Sequence, residues 1–223
     1  MDKATTRLLW LGLAAAVWYT AVVLIGALAT PGYSHIGEHV STLYQSGAPN
    51  GTWIAALFAV YNLFILALGV GVFRLVSNLG GVRRRNGQAG GVALVLTALA
   101  GSMDLVFRQD PIGSPATTAG TLHIAFAGVA SLLTILAIAL VASWALARPE
   151  LRGFGGYSVA TLVVIAASGP VAALATARQW STMGLLERLP IFGFVQWAAV
   201  TSVILARSQS VSPQPTTIAS GGT

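Results

Sequence analysis

Six apolar runs, most of them about 20 residues long or more, constrain the fold of this chain more than any other feature. A run of about 20 residues crosses the hydrocarbon core of a bilayer as an α-helix, which satisfies its own backbone hydrogen bonds. With 55% hydrophobic and 8% charged residues, the chain lacks the polar surface that a soluble globule needs. We therefore predict an all-α, polytopic transmembrane bundle of six helices, with spans at residues 8–28, 53–76, 89–107, 119–147, 157–177 and 189–206.

Basic residues are distributed unevenly between the two sides of this predicted bundle. Nine of the 12 fall on the side that carries the amino terminus: Lys3, Arg7, Arg74, Arg83, Arg84, Arg85, Arg148, Arg152 and Arg207. Loops rich in Lys and Arg stay in the cytoplasm, so we predict a multi-pass inner or plasma membrane protein with both termini cytoplasmic. The net charge of +6 is thereby explained by orientation and by contacts with membrane lipid, and nucleic acid is not expected as a partner.

The chain is predicted to hold one membrane domain and a tail. Residues 1–207 contain all six spans, and no loop between them is long enough to separate two domains. Residues 208–223 are rich in Ser, Thr, Pro and Gly and have no apolar period, which is typical of a disordered segment.

Most of the other titratable residues gather on the opposite, outer side. They include all three histidines and four of the six acidic residues: His35, Glu38, His39, Asp104, Asp110, His123 and Glu187. The first outer loop contains "GYSHIGEHVSTLYQSGAPNG", in which Ser34 is a typical N-cap, Gly47 a typical C-terminal glycine and Pro49 a stop. We predict a short amphipathic helix at residues 35–46, lying along the membrane interface or over the mouth of the bundle.

Asp104 lies near the end of the third span, where an unpaired charge is costly, so we expect it to have a partner. Arg108 follows four residues later and could neutralise it on the same helix face. Alternatively, Asp104 anchors a ligand or orients His123. Thr118 and Thr121 could instead satisfy that histidine by hydrogen bonds.

A metal site is a competing hypothesis for the outer side. His35 and His39 have the i, i+4 spacing that places two imidazoles side by side on a helix, and His123 would be the third protein ligand of a catalytic zinc. Asp104 or Glu38 would complete the site or act as the general base. The chain has no GxxxxGK[ST], GxSxG or HExxH motif that would indicate another chemistry.

Three segments carry a family resemblance: "HVSTLYQSGAPNGTW", "DLVFRQDPIGSPATTAGTLH" and "GLLERLPIFGFVQW". Their order resembles the bacterial and archaeal membrane family known as domain of unknown function 998, over nearly the whole chain apart from the tail. The resemblance implies a six-helix membrane protein and no established reaction. The residues that match the family pattern are Ser41, Leu43, Asp110, Pro111, His123, Gly184, Glu187 and Arg188.

The sequence therefore predicts an outward-facing polar pocket that binds a small or lipid-like ligand, in a sensor or accessory role. The expected ligand-binding residues are Asp104, Arg108, Asp110, His123, Glu187 and Arg188. One alternative is an intramembrane metal-dependent hydrolase acting on a lipid, with zinc on His35, His39 and His123. Another is a structural or assembly partner that binds no ligand, so the sequence leaves open whether the protein is an enzyme.

Overall fold

The computed structural model describes residues 2–208, and within them the chain forms six long helices. All six are long and apolar enough to cross a membrane, which confirms the predicted all-α bundle of six spans. The helices extend past several of the predicted spans, because residues at a membrane surface can continue the helical hydrogen bonding. The predicted tail lies outside the described residues except for Ser208. The helices are α1 (Lys3–Leu28), α2 (Gly51–Leu79), α3 (Arg84–Val106), α4 (Thr118–Leu146), α5 (Arg152–Ala177) and α6 (Met183–Arg207).

The six helices form a closed ring in chain order. Each helix packs against the next, and α6 packs back against α1. Because successive helices run in opposite directions, the connections alternate between two ends of the ring. We call the end with the α1–α2, α3–α4 and α5–α6 connections the histidine end. The other end, with the termini and the α2–α3 and α4–α5 connections, is called the arginine end.

Hydrogen bonds between helices help to close the ring around α6. The Ser202 hydroxyl donates to the backbone carbonyl of Leu9 at 2.7 Å, which joins α6 to α1. The Trp197 indole nitrogen donates to the Ser158 hydroxyl at 3.0 Å, which joins α6 to α5. Ser202, Trp197 and Ser158 are fully buried, so the two bonds give partners to the Ser202 hydroxyl and the Trp197 indole N–H inside the bundle.

Glycine allows α2 and α3 to approach closely. A Cβ atom at Gly69 would lie 2.8 Å from the Gly91 carbonyl oxygen, and a Cβ at Gly91 would lie 2.8 Å from the Gly69 carbonyl oxygen. These neighbours are backbone atoms, which cannot move aside as a side chain can. Small residues with this role are common where membrane helices pack by van der Waals contact.

The predicted amphipathic helix at residues 35–46 is wrong. Residues 35–38 form a turn, and a short 3₁₀ helix follows at Val40–Tyr44, with all five of its residues buried. In an α-helix the backbone N–H and C=O groups would bond to one another, whereas in this segment some of them bond to side chains of α6. The backbone nitrogen of Val40 donates to Glu187, and the carbonyl of Glu38 accepts from Arg188. Gly47 has the positive φ of 79° expected of a turn glycine.

Candidate functional site

Arg188 fastens the α1–α2 connection to the start of α6. Its Nη1 atom donates to the carbonyl oxygens of Glu38 at 3.0 Å and Gly184 at 2.7 Å. Its Nη2 atom donates to the Tyr33 hydroxyl at 2.6 Å and lies 3.2 Å from His35 Nδ1. Arg188 as a whole is 9% exposed, and its guanidinium lies over the Tyr33 ring. We call this set of contacts between the first connection and α6 the loop junction.

Tyr33 links the arginine to the next part of the connection. Its hydroxyl accepts from Arg188 and donates to the His39 carbonyl oxygen at 2.8 Å. Burial raises the pKa of Tyr33 to about 12, although the nearby guanidinium opposes the shift. The phenol therefore keeps its proton at physiological pH and can make both hydrogen bonds at once.

Glu187 completes the loop junction beside Arg188. Its Oε2 atom accepts from the Val40 backbone nitrogen at 2.8 Å, and its Oε1 atom lies 3.6 Å from His39 Nδ1. At Gly184, one turn earlier, a Cβ atom would overlap the Glu38 carbonyl oxygen and lie 2.7 Å from the nitrogen and carbonyl carbon of that residue. The connection thus lies directly on the backbone of α6.

A second polar group lies between α3, α4 and the 3₁₀ helix, and we call it the Asp104–His123 pair. Asp104 Oδ1 lies 3.0 Å from His123 Nδ1, and Asp104 Oδ2 accepts from the Tyr44 hydroxyl at 3.0 Å. Burial raises the pKa of Tyr44 well above its ordinary value, so this phenol also stays protonated. Asp104 therefore contacts His123, as the hypothesis that it orients this histidine predicted.

The surroundings of His123 fix the position of its proton. Besides the carboxylate, the backbone oxygens of Asp104 and Phe107 lie 3.1 Å and 3.0 Å from Nδ1. Three oxygen atoms around one ring nitrogen require that this nitrogen carries a hydrogen, because oxygen lone pairs repel an unprotonated nitrogen. Neutral His123 therefore keeps its free lone pair on Nε2. The expected bonds to Thr118 and Thr121 are replaced by these contacts.

Arg108 does not form the ion pair with Asp104 that their spacing suggested. Its Nη2 atom donates instead to the Thr52 hydroxyl at 3.2 Å. The reason is local, since α3 ends at Val106 and the backbone of Phe107 leaves the helical conformation at ψ 89°. Arg108 therefore does not continue the helix face on which Asp104 lies. The Arg108 side chain is partly exposed.

Asp110 organises the start of α4. One carboxylate oxygen accepts from the Thr117 backbone nitrogen and the other from the Thr117 hydroxyl, both at 2.8 Å. The same hydroxyl accepts from the Gly120 backbone nitrogen at 3.1 Å as the N-cap of the helix. A Cβ at Gly120 would overlap the Asp110 carboxylate, so the glycine leaves room for it. The negative charge also lies at the positive end of the helix dipole.

Replacing Asp110 with alanine is expected to lower the free energy of unfolding by about 1 kcal/mol, because Thr117 loses both of its carboxylate hydrogen bonds. Asp110→Asn retains one acceptor and should lose less. Chemical unfolding of the detergent-solubilised protein would measure both. Equal stability of Asp110→Ala and the parent would show that this carboxylate does not stabilise the helix start.

The three histidines have three different polar neighbours. His35 lies beside Arg188, His39 beside Glu187 and His123 beside Asp104. Among residues 2–208, no group of three or more His, Cys, Asp or Glu side chains is placed to hold a metal ion. The zinc site on these histidines stays a prediction, and their present contacts do not favour it.

Three polar residues of the histidine end, Tyr33, Tyr44 and Gln109, were not singled out from the sequence. The Tyr33 hydroxyl belongs to the loop junction and the Tyr44 hydroxyl bonds Asp104, while the Gln109 side chain accepts from the hydroxyl of Ser41, a residue of the family pattern. The Gln109 carbonyl also accepts from the Ser46 backbone nitrogen at 2.9 Å, which ties the first connection to the α3–α4 connection. The polar role of Tyr44 becomes visible only in its contact with Asp104.

Two open depressions in the surface of residues 2–208 lie away from the histidine end. One is an apolar groove of about 490 Å³ on the membrane face of α1 and α2, lined by Trp10, Leu13, Ala14, Val17, Trp18 and Phe64. The other lies at the arginine end. His123 is 5% exposed and is therefore covered by neighbouring segments.

The ring of six apolar helices, with ionisable side chains buried at one end, defines a multi-pass α-helical membrane protein. The chain belongs to the family described as protein of unknown function DUF998, whose model matches residues 13–204. This match confirms the resemblance that the three sequence segments carry. No curated protein and no solved structure matches the chain significantly.

Proposed function

We propose that this protein binds a small or lipid-like anionic ligand at its histidine end, as a sensor or accessory protein of the inner or plasma membrane. The observation that carries the proposal is the Asp104–His123 pair at the end of a membrane-spanning helix, with side chains only 15% and 7% exposed. Buried ionisable groups are expensive, and well-packed apolar residues often replace them without loss of stability. Such groups inside membrane helices usually mark a functional site.

The proposed roles follow from what each side chain already contacts. Arg108 would bind the anionic group, because its guanidinium is partly exposed and donates to Thr52 through Nη2, which leaves its other N–H groups for a ligand. His123 would offer Nε2 to the ligand while Asp104 holds Nδ1. Asp110, Glu187 and Arg188 would act as positioning residues, since they bind the connections that surround the site.

Movement of the first connection is part of this proposal. Tyr44 covers one side of the Asp104–His123 pair and belongs to the segment that the loop junction fastens to α6. A ligand that opens this segment would change how the connection lies on α6. A protein with that coupling can report the ligand to a partner.

The proposed orientation places the histidine end outside the cytoplasm and both termini inside it. It rests on the nine basic residues of the arginine end, which cytoplasmic loops would retain. A membrane-impermeant label on single cysteines tests it in the cysteine-free parent. Labelling of Ser114→Cys in intact cells, and of Val82→Cys only after lysis, is the expected pattern, and the reverse would overturn the orientation.

Native mass spectrometry of the protein in mild detergent tests the ligand site. We expect the parent to carry a copurified small molecule, and Arg108→Gln and His123→Gln to lose at least about tenfold in its occupancy, since each removes one strong polar contact. Arg178→Gln is the matched control, because Arg178 is an exposed arginine on a connection at the same end. A parent without any bound molecule, or equal loss in the control, would contradict the proposal.

A further inference from the structure

A polar cavity of about 610 Å³ opens at the arginine end, at the turn between α2 and α3. Its lining residues are Gly81, Arg83, Arg84, Arg85, Asn86 and Gln88. Three of them are arginines and none is acidic, so the cavity has a positive charge that its own lining does not balance. It lies at the opposite end of the bundle from the site proposed above and is independent of it.

The wall of the cavity is held in place by α4. Arg83 has a left-handed backbone with φ 55°, which is unfavourable for a residue with a side chain. Its guanidinium donates to the carbonyl oxygen and hydroxyl of Ser143 at 3.3 Å and 3.1 Å. Asn86 donates to the same hydroxyl at 2.9 Å. The unfavourable backbone is thereby fixed, and backbone strain of this kind often accompanies binding sites.

Arg84 and Arg85 are both exposed and form the first turn of α3. Positive charges at a helix start oppose the helix dipole, so they do not stabilise α3 there. Glu150, an acidic residue of the same end, is already paired with Arg148, with Arg148 Nη1 3.6 Å from Glu150 Oε1. The Arg148 side chain also approaches the cavity wall, with Nη2 3.2 Å from where a Cβ of Gly81 would lie.

We propose that this cavity binds the phosphate of an anionic phospholipid headgroup, with Arg84 and Arg85 as its main contacts. Guanidinium groups bind phosphate through paired, charge-assisted hydrogen bonds. A lipid is the natural source, because α2 and α3 are membrane-spanning helices and the cavity lies where both end. At that depth the headgroup phosphates of the bilayer are the nearest anions.

The test compares lipid binding by Arg84→Gln/Arg85→Gln with binding by the parent. Delipidated full-length protein in detergent is titrated with phosphatidylglycerol or phosphatidylcholine, and the bound fraction is read by native mass spectrometry. We expect the parent to prefer phosphatidylglycerol and the variant to bind it about 30-fold more weakly, since each basic residue near the surface contributes about a factor of five. Arg83 is left intact because it holds the wall.

The control variant Lys3→Gln/Arg7→Gln removes two exposed charges from the same end of the bundle. It should bind phosphatidylglycerol almost as the parent does. An equal loss in both variants would mean a general attraction of charge and overturn the site, as would equal affinity of the parent for the two lipids. Glycerol phosphate is the soluble competitor, and binding of it as tight as that of the lipid would overturn the assignment to a membrane lipid.

Discussion

Gly184→Ala is expected to lower the free energy of unfolding by about 3 kcal/mol, at the upper end of what overpacking usually costs. The new Cβ would overlap the Glu38 carbonyl oxygen, and the atoms around it belong to the backbone of the first connection. Neither α6 nor the connection can make room by turning a side chain. The loop junction must therefore open, and unfolding in a detergent titration would show the loss.

Gly128→Ala is the matched control for this substitution. Gly128 also lies inside a membrane-spanning helix, and a Cβ there would meet nothing within 4 Å. Alanine favours a helix more than glycine does, so this variant should be as stable as the parent or more stable. Equal stabilities of the two alanine variants would show that α6 and the first connection do not depend on their close contact.

Arg188→Met is expected to destabilise the protein by a similar amount, about 3 kcal/mol, but for a different reason. The substitution keeps a long apolar side chain and removes every hydrogen bond of the guanidinium. The Glu38 carbonyl and the Tyr33 hydroxyl then lose their donor in a partly buried place. Hydrogen exchange should increase first in the connection around Val40, because the bond from its backbone nitrogen to Glu187 is part of the same loop junction.

Two comparisons make this expectation specific. Arg188→Lys keeps the charge but cannot place donors in the forked arrangement that reaches Glu38, Gly184 and Tyr33 together, so it should lie between the parent and Arg188→Met. Arg178→Met removes an exposed arginine from the α5–α6 connection, at the same end of the bundle, and should leave stability unchanged. If Arg188→Met unfolds at the same point as the parent, the loop junction does not stabilise the fold.

The fold could be predicted from the sequence because a membrane span requires little more than length and apolar character. The first connection could not, since Ile36, Val40, Leu43 and Tyr44 have the spacing of an amphipathic helix. In the structure, burial of the last three is achieved by a 3₁₀ helix that bonds to α6. Contacts between residues some 150 positions apart decided the outcome, and local periodicity does not contain them.

The position of the candidate site could be predicted from the sequence, but which of its side chains contact each other could be predicted less well. The sequence placed Asp104, Arg108 and His123 at one end, and the structure brings Asp104 to His123. It separates Asp104 from Arg108 because α3 ends between them, and a helix end is among the features that a sequence fixes least well. The roles of Tyr33 and Tyr44 depend on burial, which only the packed bundle creates.

Because α6 closes the ring, the order in which the parts of this protein fold differs from the order in which they are synthesised. During synthesis α1 to α5 enter the membrane before α6 exists, and until then α1 and α5 lack the neighbour that joins them. The bonds of Ser202 to Leu9 and of Trp197 to Ser158 form only when this last helix arrives. Glu187 and Arg188 arrive with it, so the first connection waits for nearly the whole chain before it is fastened. The segment made early is thus folded late.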